Sequence, residues 1–428
     1  MLCVAATFAL IAGLMHKERT AVTGGLPKER PGEVELVFLN SWGGLDGRAD
    51  ALQKLLDDFM EKNPGIKVKN ESVYGDDFLP SIKTRFALGE EPDVFGLWPG
   101  SDIRSLIAAG KVADLTGLLE EDPTYKASFD PKMWHHVTAE GRIYGLPVEI
   151  IFEALFINSP MFDLYDIPPP ETYDQLVTAV KVFRANNIIP IAYNSEPEGS
   201  YLYQNLVMML GGKDGVEQPF SNRRVKDCYI EAMYRMRELY ELGAFPKDYF
   251  TLTSEERDRL FLNKKAAMIV QGSWFISNFP KDKAVDLVAF PKAEPAEGTG
   301  NIVYGMGCGI FYASKTAMEN PEKTEAVIKL LKFLASKPSA AYLADTTGMI
   351  SNIDITAYRV GYSEDRVTYN PLTQKGLALV FYSKGLVGPP DSFIERSVWE
   401  SVIIKRFPYM LERKISPEEL WQLTGLTG

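Results

Sequence analysis

Only three cysteines and three histidines occur in 428 residues. Cys3, Cys228 and Cys308 lie far apart and form no CxxC, so neither a disulfide framework nor a structural zinc site is expected. His135 and His136 are adjacent, and neighbours on a helix or strand point in different directions, so they are not expected to present a two-histidine metal face. Positive charge is scarce as well: 46 Lys and Arg against 57 Asp and Glu leave a net charge of −11. Phosphate recognition needs clustered Lys and Arg, so no nucleic-acid partner is expected. The signatures GxSxG, HExxH and GxxxxGK[ST] are absent, and "GMGCG" (305–309) reads as part of an apolar strand that opens no helix. Cys308 has no histidine near it in sequence to activate it. No catalytic residue, metal ligand or cofactor is assigned.

What is present is a large α/β pattern. The length exceeds one hydrophobic core and implies two or three domains. Residues 1–32 begin with the apolar run "MLCVAATFALIAGLM" and continue into a polar linker, and read as a signal or anchor segment. No Lys or Arg precedes the run, and Cys3 sits before most of it rather than just after it, where a lipoprotein cysteine would stand. From residue 33 the chain alternates strand and helix. "EVELVFLNSW" (33–42) reads as a strand, and "GRADALQKLLDDFMEKNP" (47–64) as a helix with Ala51, Leu52, Leu55, Leu56 and Phe59 on one face. "IKVKNESV" (66–73) and "PDVFGLW" (92–98) are further strands, giving a β-α-β-α-β start that suits a parallel sheet covered by helices. Thr172 with Gln175 predicts a capping box. "YGMGCGIFYAS" (304–314) reads as one strand after a Pro/Gly/Glu-rich loop at 291–301, and the last hundred residues read as mostly helical.

Eight short patterns then follow in order. They are "FMEKNPGIKV" (59–68), "PDV" (92–94), "GKVADLTGLL" (110–119), "YGLPVEIIFEALFIN" (144–158), "FLNKKAAMIVQGSW" (261–274), "VAFP" (288–291), "GMGCGIFYAS" (305–314) and "AVIKLLKFLAS" (326–336). Together they resemble the bacterial extracellular solute-binding proteins of the family-1, maltose-binding-protein-like type, over nearly all of residues 33–428. The resemblance implies a two-lobed periplasmic-binding-protein-like α/β fold, with mixed sheets flanked by helices and joined by hinge strands. It implies lobes of 33–148 plus 304–350 and 149–303 plus 351–428, with crossings near Leu146–Phe152, Val303–Gly309 and Met349–Asn352. It also implies an extracytoplasmic, monomeric protein that binds a sugar-like ligand between the lobes and delivers it to the permease subunits of an ABC transporter. The N-terminal segment would provide any membrane association.

A sugar offers an apolar CH face and a rim of hydroxyls, so its site needs aromatic rings and short polar groups. In open α/β sheets such sites form beyond the carboxyl ends of strands. Trp42, Trp98 and Trp274 each follow a strand beside Gly, Ser or Pro and are candidates on that ground, although each could equally be core. Trp399 is a candidate through the family's use of an aromatic near this position, against a reading as a core residue. Asn40, Asp76, Asp102, Glu149, Asn194 and Tyr304 are the polar candidates at strand ends, with Asp77, Glu196 and Tyr201 beside them. Asp76 or Asp77 could instead cap a helix. The strand-end loops show Trp, Asn, Ser and Asp without clustered Arg, which favours a neutral polyol over a phosphate or iron. A binding protein for another solute and a glycoside hydrolase are the rival functions; the latter needs two carboxylates about 5–10 Å apart across one bond.

Overall fold

The computed structural model describes residues 33–279, 284–294, 299–355 and 370–426. The apolar run read as a signal or anchor lies outside them. Strands are numbered here in chain order: β1 (Val34–Leu39), β2 (Ile66–Asn70), β3 (Val94–Gly96), β4 (Gly145–Pro147), β5 (Glu149–Asn158), β6 (Ile189–Ile191), β7 (Ala266–Gly272), β8 (Val285–Val288), β9 (Thr299–Met306), β10 (Ile310–Ala313), β11 (Ile350–Ser351) and β12 (Ser383–Val387).

The first sheet has the order β2-β1-β3-β10-β4. Its β1, β2 and β3 run parallel, whereas β10 is antiparallel to both β3 and β4. The first helix, Ala49–Lys62, buries Ala51, Leu52, Leu55, Leu56 and Phe59, the stripe that 3.6-residue spacing selects. The helix Thr324–Leu334 likewise buries Ala326, Val327, Leu330, Leu331 and Leu334. The second sheet has the order β12-β9-β5-β7-β6, with β8 and β11 also paired to β5. The helix Tyr173–Ala185 packs beside it, opened by the expected Thr172–Gln175 capping box.

Two readings change. The stretch 304–314 is two strands in two different sheets, because the chain leaves the ladder at Gly307–Gly309 between β9 and β10. Glu149 occupies that break: its carboxylate accepts from the Gly309 N–H at 3.0 Å. A Cβ on Gly307 would come within 2.3 Å of the same carboxylate, so only glycine lets Glu149 approach there. The C-terminal hundred residues also contribute strands: β11 pairs with β5 and β12 runs parallel to β9. The "SKGLV" of β12 carries too few large apolar side chains to read as a strand; its position beside β9 determines it.

β5 organises the molecule. It is buried along its whole length, and its two faces do different things, as strand alternation requires. Ile150, Phe152, Ala154 and Phe156 join the core that extends from the first sheet. On the opposite face Leu155 and Ile157 join the second core, whereas Glu149, Ile151 and Glu153 open onto a cavity. The expected crossing segments meet on this strand. Tyr304, Gly305 and Met306 pair with Phe152, Ile151 and Ile150, and Ile350 pairs with Ile150.

Candidate functional site

The cavity has a volume of about 710 Å³. Its floor is the odd face of β5, and its walls are loops at strand ends of both sheets, where α/β sites form. The first wall comes from residues following β1, β2 and β3. After β1 the chain folds back through Asn40, whose side-chain oxygen accepts from the Trp42 N–H at 2.9 Å. Trp42 is fully buried, and the Arg48 guanidinium lies 4.7 Å from its ring centre. Arg48 forms ion pairs of 2.6 Å with both Asp46 and Glu149 and lines the cavity. Burial pushes the Glu149 carboxyl up, and the Arg48 charge opposes that push.

After β2 and β3 come Asp76 and Trp98, both on the cavity. Trp98 rests edge-on against Phe78 at 5.4 Å, with the Arg396 guanidinium 4.9 Å from its ring centre. Arg396 pairs with Glu400 at 2.7 Å and with Asp102. Asp102 also holds Lys83 at 2.7 Å.

The second wall follows β6, β7 and β12. Trp274 stands just beyond β7, edge-on to Tyr201 at 5.4 Å. A Cβ on Gly272 would lie 2.0 Å from the Trp274 ring, so the indole lies directly on that glycine. Trp399 is buried, stacks on Tyr203 at 5.4 Å and donates from its indole N–H to Ser200 at 3.3 Å. Its remaining edge reaches the cavity. Behind the wall, buried Arg257 is held by Asp258 at 2.7 Å and by Glu198 at 3.1 Å. The enclosure around Glu198 raises its carboxyl from the usual 4.5 to about 7, against the pull of Arg257.

Polar contacts join the two walls. Asp76 accepts from the Ser254 hydroxyl at 3.1 Å, the Tyr74 hydroxyl donates to Asp258 at 3.2 Å, and Arg396 reaches Asp102. The walls therefore stand close enough to enclose a ligand.

Of the sequence candidates, Asp76, Trp98, Glu149, Trp274 and Trp399 line this one cavity, together with Glu196 and Tyr201. Asn40, Trp42, Asp102, Asn194 and Tyr304 do not. Asn40 and Trp42 lie beneath it and support Arg48. Asp102 is occupied by Arg396 and Lys83. Asn194 is fully buried, and its amide donates to the Leu252 carbonyl at 3.1 Å. Tyr304 pairs with Phe152 on the face of β5 turned away from the cavity, whereas the neighbouring Gly305 pairs with Ile151 on the cavity side. Asp77 precedes the helix Phe78–Leu88 without a capping bond from its side chain.

Sequence reasoning missed Arg48, Glu153, Glu198, Asp391 and Arg396. The absence of local Arg clusters was misleading, because Arg48 and Arg396 reach the same cavity from opposite ends of the sequence. Glu153 was legible in principle: it stands four residues after Glu149 on a strand, hence on the same face. His135 and His136 also depart from expectation. Within the short helical turn Pro131–Val137 their rings nonetheless lie 3.9 Å apart, both on the cavity. Burial, then the His135 charge, lowers His136 to about 4.

Comparison with known proteins supplies the context for this geometry. The chain is 25% identical over 370 residues to a multiple sugar-binding protein of Streptococcus mutans, covering 83% of this chain and 81% of that protein. It is 21% identical over 343 residues to the melibiose/raffinose/stachyose-binding protein of Bacillus subtilis, covering 76% of each. Among solved structures, maltose-bound MalE3 of T. maritima superimposes with a TM-score of 0.72 at 22% identity, over 91% of this chain and 98% of that one. That likeness establishes the two-lobed solute-binding-protein fold. The family model for bacterial extracellular solute-binding proteins matches residues 46–341. Matching more than half of its length, and folded around a cavity walled from two sheets, the chain belongs to the bacterial extracellular solute-binding protein family.

Proposed function

We propose that this protein captures a sugar or oligosaccharide in the cavity and delivers it to the membrane subunits of an ABC importer, without making or breaking a bond in it. The observation that carries this reading is the cavity's composition. Trp98, Tyr201, Trp274 and Trp399 border one space of about 710 Å³, within reach of Asp76, Glu149, Glu153 and Glu198. Rings suit the CH faces of pyranoses, and carboxylates accept from their hydroxyls. The named sugar ligands of the Streptococcus and Bacillus relatives point the same way.

The lobes in this reading are 33–148 plus 304–350 and 149–303 plus 351–428, with β5, β9 and β11 as the crossings about which they close. Gly305, Gly307 and Gly309 would ease that movement. The working location is outside the cytoplasmic membrane, and the working form is a monomer. Among the described residues no helix is long and apolar enough to cross a membrane.

The test is a thermal-shift screen of mono- and oligosaccharides on the full chain, followed by calorimetry. A true ligand raises the melting temperature with concentration as RT ln(1 + [L]/Kd). Recovery of the ligand unchanged after long incubation supports carriage. New reducing ends would instead indicate a hydrolase, and silence across the screen would remove the sugar assignment.

A further inference from the structure

Buried negative charge in and behind the cavity outnumbers buried positive charge. Arg48 is shared by Asp46 and Glu149, Arg257 by Asp258 and Glu198, and Arg396 by Asp102 and Glu400. Each guanidinium is thus committed to at least two carboxylates. Lys83, Arg104 and Lys405 also border the space but are exposed, so water screens them.

Glu153 stands outside all of these pairs. It is 2% exposed, sits at the third cavity-facing position of β5, and has no ion pair among the described residues. Its Oε2 accepts from the Asn205 amide at 2.5 Å, and that amide also donates to the Tyr201 carbonyl at 2.9 Å. The Oε1 has no hydrogen bond from any described residue. Asp391 lines the same space and adds its repulsion to that of burial, so the Glu153 carboxyl is held well above its usual range. A lone carboxylate under low-dielectric walls is costly unless something positive meets it. A sugar hydroxyl supplies one neutral donor there, whereas an ammonium supplies charge and three donors.

Building on the sugar-binding reading, we propose that the favoured ligand is an amino sugar whose protonated nitrogen sits against Glu153, with Asp391 beside it. Tyr201 lies one helical turn from Asn205, and Trp274 stands edge-on to Tyr201, so rings border the same end of the cavity. A cation there gains attraction from the ring faces as well as from the carboxylates.

The experiment compares matched ligands differing only in one substituent, by calorimetry on the full chain near neutral pH. The pairs are glucosamine with glucose, galactosamine with galactose, and the β1,4-linked glucosamine dimer with cellobiose. The N-acetylated dimer serves as a neutral nitrogen control. In at least one pair the amine should bind tenfold or more tightly than its hydroxyl partner, with the acetamide no better than the hydroxyl. Glu153→Gln should shrink that ratio about tenfold; Asp391→Asn provides a second variant should the first fold poorly. Hydroxyl sugars that bind as tightly as their amines would overturn the amino-sugar proposal and leave sugar binding intact. A full ratio surviving in Glu153→Gln would overturn the role of Glu153. Failure of every sugar would remove both.

Discussion

Removing the Trp274 ring tests the site most directly. An aromatic side chain buries roughly 150–250 Å² in all, so one indole face accounts for about 100 Å². At ~25 cal/mol per Å², covering that face with a pyranose is worth ~2.5 kcal/mol. Trp274 is already partly covered by Gly272 and by the edge of Tyr201, which leaves about 2 kcal/mol for the ligand. Trp274→Ala should therefore weaken binding about 30-fold, since 1.4 kcal/mol is tenfold. Calorimetry with the best sugar from the screen gives the change in Kd, and a melting curve of the free variant checks the fold. Gly272→Ala reaches the same ring by another route. Its methyl group would lie 2.0 Å from the indole, so the ring must swing away while its chemistry is retained. Both variants should lose affinity and keep their melting temperature within a few degrees. A well-folded Trp274→Ala protein whose Kd stays within twofold of the parent would remove this ring from the site and refute the stacking argument.

Two further outcomes follow from the buried charges. Arg396→Met leaves Asp102 and Glu400 without their shared cation and should cost about 3 kcal/mol, near the lower end for breaking a buried pair because Lys83 still reaches Asp102 at 2.7 Å. A urea midpoint equal to that of the parent would contradict this. The pH profile of the free protein should also slope. Glu198 titrates near 7 when folded and near 4.5 when unfolded, and Glu149, Glu153, Glu196, Asp391 and Glu400 are displaced upward as well. A raised carboxyl contributes stability below its unfolded value and loses it as pH climbs through its folded value. His136, lowered to about 4, works the other way between about 4 and 6.5, but it is one group against six. The melting temperature should fall between about pH 5 and 7.5, and Glu198→Gln should flatten the slope; a rise across that window would contradict the assignment.

The fold was legible where local rules decide it. Helical stripes such as Leu52, Leu55, Leu56 and Phe59, the capping box at Thr172, and the long apolar run of β5 are all readable from neighbours in sequence. The break at Gly307–Gly309 was not, because the reason for it, the Glu149 carboxylate, is some 160 residues away in the chain. The site was half legible for the same cause. Tryptophans at strand ends could be nominated from position, each equally open to a place in the core, and Trp98 and Trp274 do line the cavity. Trp42 follows the same local pattern and lies under Arg48 instead, since burial depends on what the rest of the chain lays over it. Arg396 could not be found from sequence because its partners Asp102 and Trp98 are about three hundred positions upstream.

The alternation along β5 limits how such a protein can change its diet. Glu149, Ile151 and Glu153 face the cavity only because an odd count separates them from Ile150, Phe152 and Ala154 in the core behind. One inserted residue within this stretch would turn Ile150 and Phe152 toward the guest and send two acids into packed hydrocarbon. New specificities must therefore arise on this strand by exchange of side chains at fixed length, while gains and losses of residues are left to the wall loops.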